Sequence, residues 1–399
     1  MTVLRGELRH TNYAAMHNRM CAAGIPYPLS RLCRKRGTPM RSISDTIAHL
    51  RGLAGSVDRT AQQAAPLTPI DDFGDNPGAL RGYLHIPHDL PAHAPLVVVL
   101  HGCTQTAASY DHGAGWSTLA DRFGFALLFP EQQRANNPNL CFNWFLSEDT
   151  RRGGGEVESI REMIVAVVER HELDPARVFV TGLSAGGAMT SAMLACHPEL
   201  FAGGAIIAGL PFGTAHSVPE ALERMRGHGH DRASLSDRVR AAAVHGGPWP
   251  TVSIWHGTAD TTVNPVNAGL IVDQWRGLHR LGEPDITERI DGHTRRAWRD
   301  RAGRAVIEEY MITGMGHGTP LATDGDEACG VPGPHMLGAG ISSTYRIAAA
   351  WGIAPAVAPS RPVDTAATVP QRPAPARSLR FDPTTTINDA LRAAGLMKP

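Results

Sequence analysis

From Arg81 onward, apolar residues fall into short runs separated by stretches with helical spacing. Tyr83-Leu84-His85-Ile86 alternates as a half-buried strand does, and Leu96-Val97-Val98-Val99-Leu100 is an unbroken apolar run suited to a strand buried on both faces. The pattern then predicts a helix over 115–123, a strand over 125–129, a helix over 156–171 and a strand over 177–181. A helix after Ser184, strands over 205–208 and 251–255, a helix over 267–281 and a last strand over 306–312 complete the series. Strands alternating with helices imply an α/β class, with a mostly parallel central sheet built from βαβ units and helices on both faces.

The flanks have a different texture. Residues 1–75 mix basic and Gly/Pro-rich stretches with one expected helix near 43–53, and are assigned as an N-terminal accessory region, partly disordered. The α/β domain is expected over 76–352, with an insertion at 211–250 long enough to form a lid. Residues 353–399 read as an Ala/Pro-rich linker followed by a short amphipathic helix over 387–396.

Charge narrows the partners. Lys plus Arg and Asp plus Glu number 38 each, so the summed charge makes no electrostatic case for nucleic acid or an anionic membrane. No apolar run approaches the roughly 18–20 residues that span a bilayer. The first 39 residues carry charges throughout (Arg5, Glu7, Arg9, Arg19, Arg31, Arg34, Lys35 and Arg36) and lack the apolar stretch of a secretory signal, which leaves a cytoplasmic location open. Ser42-Ile43-Ser44-Asp45 reads as a capped helix start, so Met40 is an alternative first residue to Met1. Six cysteines are too few to define a disulfide scaffold in a chain of 399 residues.

The chemistry concentrates in three segments. Gly182-Leu183-Ser184-Ala185-Gly186 fits the GxSxG elbow, preceded by the apolar strand Val178-Phe179-Val180 and followed by a helix-forming run. The same five residues could be a plain Gly-rich turn, but strand, elbow and helix in succession make Ser184 the expected nucleophile. A serine hydroxyl needs a base and an acid to orient it, in chain order Ser, Asp, His on this architecture. Asp260 lies just past the strand ending at Trp255, and His317 sits in Gly314-Met315-Gly316-His317-Gly318 just past the last strand. Asp291 and Asp324 compete for the acid and His335 for the base, but neither acid follows such a strand. The backbone amides of Ala185 and of Cys103, in the loop after the Val-rich strand, are the expected oxyanion donors. The Cys103 thiol is left either as a buried filler or as half of a disulfide with Cys141. The insertion's Met225-Arg226-Gly227-His228-Gly229-His230 suggests a metal, but no carboxylate or cysteine sits at a suitable offset, and a solvated loop is the simpler reading. This chemistry requires no metal or organic cofactor.

His101-Gly102-Cys103-Thr104-Gln105 resembles the HGCxQ segment of the poly(3-hydroxybutyrate) depolymerase family of esterases. Phe129-Pro130-Glu131-Gln132, Asn136-Asn137, Cys141-Phe142-Asn143-Trp144-Phe145, Gly155-Glu156, Gly182 to Met189, Trp255-His256-Gly257 with Asp260, and Gly316-His317-Gly318 agree in order and spacing across roughly 80–352. The resemblance implies an α/β-hydrolase fold and hydrolysis of esters in short-chain 3-hydroxyalkanoate polymers or oligomers, with feruloyl and acetylxylan esterases as neighbours. It carries Ser184, Asp260 and His317 over as triad, with Cys103 and Ala185 as oxyanion donors. Trp144 and Trp255 are nearest in sequence to the loops of the site and are candidate substrate contacts, although core packing is the commoner fate of tryptophan.

Overall fold

The structure is a computed structural model and describes residues 67–356. The expected helices near 43–53 and over 387–396, and the Met40 start, lie outside the described residues.

Ten strands form one sheet in the order β1-β2-β4-β3-β5-β6-β7-β10-β9-β8. The parallel centre comprises β3 (Leu96–Leu100), β4 (Ala126–Glu131), β5 (Val178–Leu183), β6 (Gly203–Ile207), β7 (Thr251–Gly257) and β10 (Ala305–Ile312). Alternation within β3 shows why its sequence is apolar throughout. Leu96, Val98 and Leu100 enter the core on one face, while Val97 and Val99 enter the core on the other. Helices α3 (Gly155–Arg170), α4 (Ala185–Cys196) and α7 (Val266–His279) supply the first of these cores. α1 (Ala107–Ala114), α2 (Trp116–Phe123) and α8 (Ser343–Ala350) supply the second.

Antiparallel strands extend both edges, and the sequence pattern missed most of them. β1 (Thr68–Ile70) pairs with β2 (Arg81–His85), placing part of the expected accessory region in the sheet. β8 (Ile286–Ile290) and β9 (His293–Arg299) form a hairpin beside β10. α1 was also unforeseen; Gly115 ends it in the left-handed region, at φ 79°, and α2 begins at once. Beyond the expected last strand, β11 (Thr319–Leu321) and β12 (Met336–Gly338) form a separate parallel pair.

The insertion at 211–250 holds α5 (Val218–Met225) and α6 (Leu235–Ala242), and it is fastened down. The Asn264 amide donates to the Met225 carbonyl at 2.7 Å, and Asn267 Nδ2 donates to the Arg224 carbonyl at 3.0 Å. His228 and His230 lie here, and no cluster of metal-ligating side chains occurs among the described residues. Nor is any described helix long and apolar enough to cross a membrane.

The strand order also positions the site. The chain leaves β3 to one side for β4, then returns across β3 to β5, so the order reverses between β3 and β5. At such a switch point the loops leaving the two carboxyl ends diverge and open a crevice. The loop from His101 and the turn at Ser184 are those two loops.

Candidate active site

Ser184 occupies the single-residue corner between β5 and α4, at φ 58° and ψ −117°, a conformation that favours glycine. Its amide donates to the Ile207 carbonyl at 2.9 Å, and its carbonyl accepts from the Ala188 amide at 2.8 Å, so neighbouring elements hold the strained corner. The flanking glycines are required by space. A Cβ on Gly186 would stand 2.2 Å from the Leu100 carbonyl oxygen, and one on Gly182 2.5 Å from the Gly186 backbone. The elbow is therefore pressed directly against the end of β3.

Asp260 follows β7 and is buried, at 5% exposure. Its Oδ1 accepts from the Thr262 and Val263 amides, each at 2.8 Å, which fixes the carboxylate plane. Its Oδ2 lies 2.7 Å from His317 Nδ1 and 3.4 Å from Nε2 of the buried His256. Burial alone would raise this carboxyl, but the contacts with His256 and His317 outweigh it and hold it well below the usual carboxylate range. The loops carrying the pair are joined by the Ala259 amide, which donates to the Met315 carbonyl at 2.9 Å.

The competitors have other partners. Asp291 sits in the β8–β9 turn and pairs with Arg346 at 2.6 Å; Asp324 is exposed. His335 donates through Nδ1 to the His317 carbonyl at 3.1 Å, so it braces the loop that carries His317.

Cys103 lies in the loop after β3 and is disulfide-bonded to Cys141, which settles the choice left open by the sequence. The Gly102 amide is occupied by Gln105 Oε1 at 2.8 Å and the Thr104 amide by the Asn139 carbonyl at 2.7 Å. Between them, the Cys103 amide has no acceptor among the described residues, and neither has the Ala185 amide at the start of α4. Two N–H groups thus stand without acceptors, one on the residue after the half-buried Ser184 and one in the loop that leaves β3 beside β5, and unpaired amides of this kind are what a developing oxyanion needs.

Residues 83–299 match the family described as Esterase PHB depolymerase. The chain belongs to that family. Like its relatives, this depolymerase-family protein is a carboxylic ester hydrolase. It is 43% identical over 291 residues to a poly(3-hydroxyalkanoate) depolymerase C of Paucimonas lemoignei, covering 72% of this chain and 70% of that one. It is 30% identical over 275 residues to an acetylxylan esterase A of Aspergillus oryzae, covering 66% and 88%. A feruloyl esterase B of Talaromyces funiculosus is 29% identical over 269 residues, covering 64% and 74%. Among solved structures, an acetyl xylan esterase from Aspergillus awamori aligns with TM-score 0.58 at 28% identity, covering 63% of this chain and 94% of that one.

The two tryptophans separate in this esterase. Trp255 lies in the core at 1% exposure, stacked on Tyr310 at 3.8 Å and donating to Ser253 Oγ at 2.6 Å, so the structure does not place it at the site. Strand alternation puts it on the sheet face whose core includes residues of α1, α2 and α8. Trp144 is half-buried and packs, with Met225, on a small apolar cluster of Ala188, Leu210 and Val263. That cluster borders both the elbow and the acid loop. The sequence pattern gives His101, Gln105, Gln132 and Glu156 no role, although all four lie in the segments that carry the family likeness.

Proposed function

We propose that the chain is a serine esterase acting on short-chain 3-hydroxyalkanoate polymers or oligomers through an acyl-enzyme at Ser184. The observation that carries the chemistry is the 2.7 Å contact of Asp260 with His317 Nδ1, made at the carboxyl end of the sheet where Ser184 holds its elbow conformation. Nδ1 bonded to the carboxylate leaves Nε2 as the free base. His317 takes the Ser184 proton as Oγ attacks the ester carbonyl, and the amides of Cys103 and Ala185 hold the oxyanion. The proton then passes from His317 to the leaving alcohol, and a water activated in the same way releases the acyl group. Trp144 and Met225 form an apolar wall for the acyl chain, so the 211–250 segment acts as a fixed wall of the site at its α5 end.

The 43% identity to a poly(3-hydroxyalkanoate) depolymerase favours this substrate over the alternatives. A feruloyl or acetylxylan esterase is the second reading, favoured by the structural alignment with an acetyl xylan esterase. Ser184→Ala should abolish p-nitrophenyl butyrate turnover in a folded protein. Hydroxybutyrate oligomers, amorphous polymer, methyl ferulate and acetylated xylan compared side by side decide the substrate. Faster turnover of either of the last two would overturn the hydroxyalkanoate reading.

A further inference from the structure

We propose that His101 and Gln105 are positioning residues for ester hydrolysis, clamping the two peptide planes that flank Gly102 and so aiming the Cys103 amide at the oxyanion. This rests on the assignment of that amide as an oxyanion donor.

A peptide group is planar, so the Gly102 carbonyl and the Cys103 N–H turn together as one unit. Gly102 lacks a Cβ, which makes the torsions on either side of it the softest in this loop. Both neighbouring planes are nevertheless bonded by side chains. His101 Nδ1 donates to the Gly102 carbonyl oxygen at 2.8 Å, shorter than the 3.3 Å turn bond which the same oxygen accepts from the Gln105 amide, and is the tighter hold on the plane that carries the Cys103 N–H. Gln105 Oε1 accepts from the Gly102 amide at 2.8 Å and fixes the plane before it. Oxyanion stabilisation depends on donors held in place before the charge develops, and a rotated peptide plane forfeits that advantage.

The His101 ring is itself immobilised. It is fully buried, its Nε2 accepts from the Gln132 amide at 3.1 Å, and the Phe142 ring packs on it with centroids 4.9 Å apart. An acceptor role at Nε2 and a donor role at Nδ1 together admit only the neutral tautomer with its proton on Nδ1. Burial, opposed by the bond to Gly102, pushes the ring down to about 4, so this donor persists through neutral pH. The Gln132 side chain donates to the Cys141 carbonyl at 3.1 Å, so a single residue braces the histidine and the disulfide partner of Cys103 alike. The HGCTQ segment thus reads as one device around Gly102: His101 on its carbonyl, Gln105 on its amide, and Cys103 anchored through sulfur.

The test compares wild type, His101→Asn, His101→Gln, Gln105→Leu and Ser184→Ala. It measures kcat and KM on p-nitrophenyl butyrate and the inhibition constant of a trifluoromethyl ketone, whose adduct oxygen occupies the oxyanion position. Asparagine presents an N–H near the position of Nδ1, whereas glutamine presents its amide near Nε2. His101→Asn should keep kcat within about fivefold of wild type, while His101→Gln should lose about 10²-fold with little change in KM and a parallel weakening of the ketone. Gln105→Leu should lose about tenfold in both kcat and ketone affinity. The proposal is overturned by His101→Gln retaining kcat within about threefold, by a kcat loss without ketone weakening, or by His101→Asn falling as far as His101→Gln. Should neither histidine variant melt cooperatively, Gln105→Leu decides, and an unchanged ketone constant there overturns the proposal. An active Ser184→Ala would remove the underlying hydrolase reading and the clamp with it; an inactive one beside unaffected clamp variants removes the clamp alone.

Discussion

Asp260 Oδ2 lies 2.7 Å from His317 Nδ1 while the other carboxylate oxygen accepts from two backbone amides, so the carboxylate is held in place against the imidazole, as the proposed triad requires. Asp260→Asn keeps the shape but offers an amide that can favour the wrong histidine tautomer. The expected loss in kcat is about 10⁴-fold with the fold retained. Circular dichroism with p-nitrophenyl butyrate kinetics checks it, and a loss of less than tenfold would remove Asp260 from its role. Stability adds an independent sign. The carboxyl is depressed in the folded state, so its contribution is present above the unfolded carboxylate range and is lost as pH falls through the folded value. Between neutral pH and about pH 3, wild type should therefore lose more unfolding free energy than Asp260→Asn.

The central sheet and the elbow were legible because their signals are local. An unbroken apolar run such as Leu96 to Leu100 has no comfortable place except a strand covered on both faces, and both cores receive it. The β8–β9 hairpin escaped because it lies at an edge, and its charged positions Glu288, Arg289, Arg295 and Arg296 mask the alternation. Its one clear mark was Asp291-Gly292, whose φ values of 51° and 84° are those of a two-residue hairpin turn. Pairing across distance was the other limit. Cys103 and Cys141 are 38 residues apart, and only the return of the chain past β4 brings their Cα atoms to 4.2 Å. Trp255 failed for a related reason, since residue order locates the end of a strand but not which face each side chain takes.

The backbone at Ser184 stores strain that a glycine would not carry. At φ 58° and ψ −117°, relief of about 1–3 kcal/mol is set against the roughly 0.4–1 kcal/mol by which glycine loosens the unfolded chain. Ser184→Gly should therefore be inactive yet more stable than Ser184→Ala, by about 1 kcal/mol. Paired denaturant titrations read this directly. Equal midpoints for the two variants would mean that the elbow is unstrained.

The disulfide restrains the loop that carries the Cys103 amide, so its loss should appear in turnover more than in binding. Cys141→Ser leaves the Gly102 clamp in place but frees the far end of the loop. The expected result is a drop in kcat of about tenfold with KM within about twofold, reproduced in wild type by a thiol reductant. A rise in KM at constant kcat would instead place the disulfide in substrate binding.

Glu156 opens α3 beneath this loop, at 1% exposure, accepting from the Gln132 side chain and from the Asn143 amide, the latter at 2.8 Å. Burial first, and the charge of Asp149 second, push its carboxyl up to about 8, against the bonds from Asn143 and Gln132. The native state therefore binds a proton that the unfolded chain has already released, and unfolding free energy falls as pH rises from the ordinary glutamate value of 4.5 through about 8. Glu156→Gln takes the ionisable group out of the same space. Its stability should be flatter than wild type between pH 5 and pH 8, with the two curves approaching each other toward acid. Urea midpoints across that window test the sign. A wild-type slope that survives in Glu156→Gln would assign the proton to another group, and the buried carboxyl would then be held as the anion by its two donors.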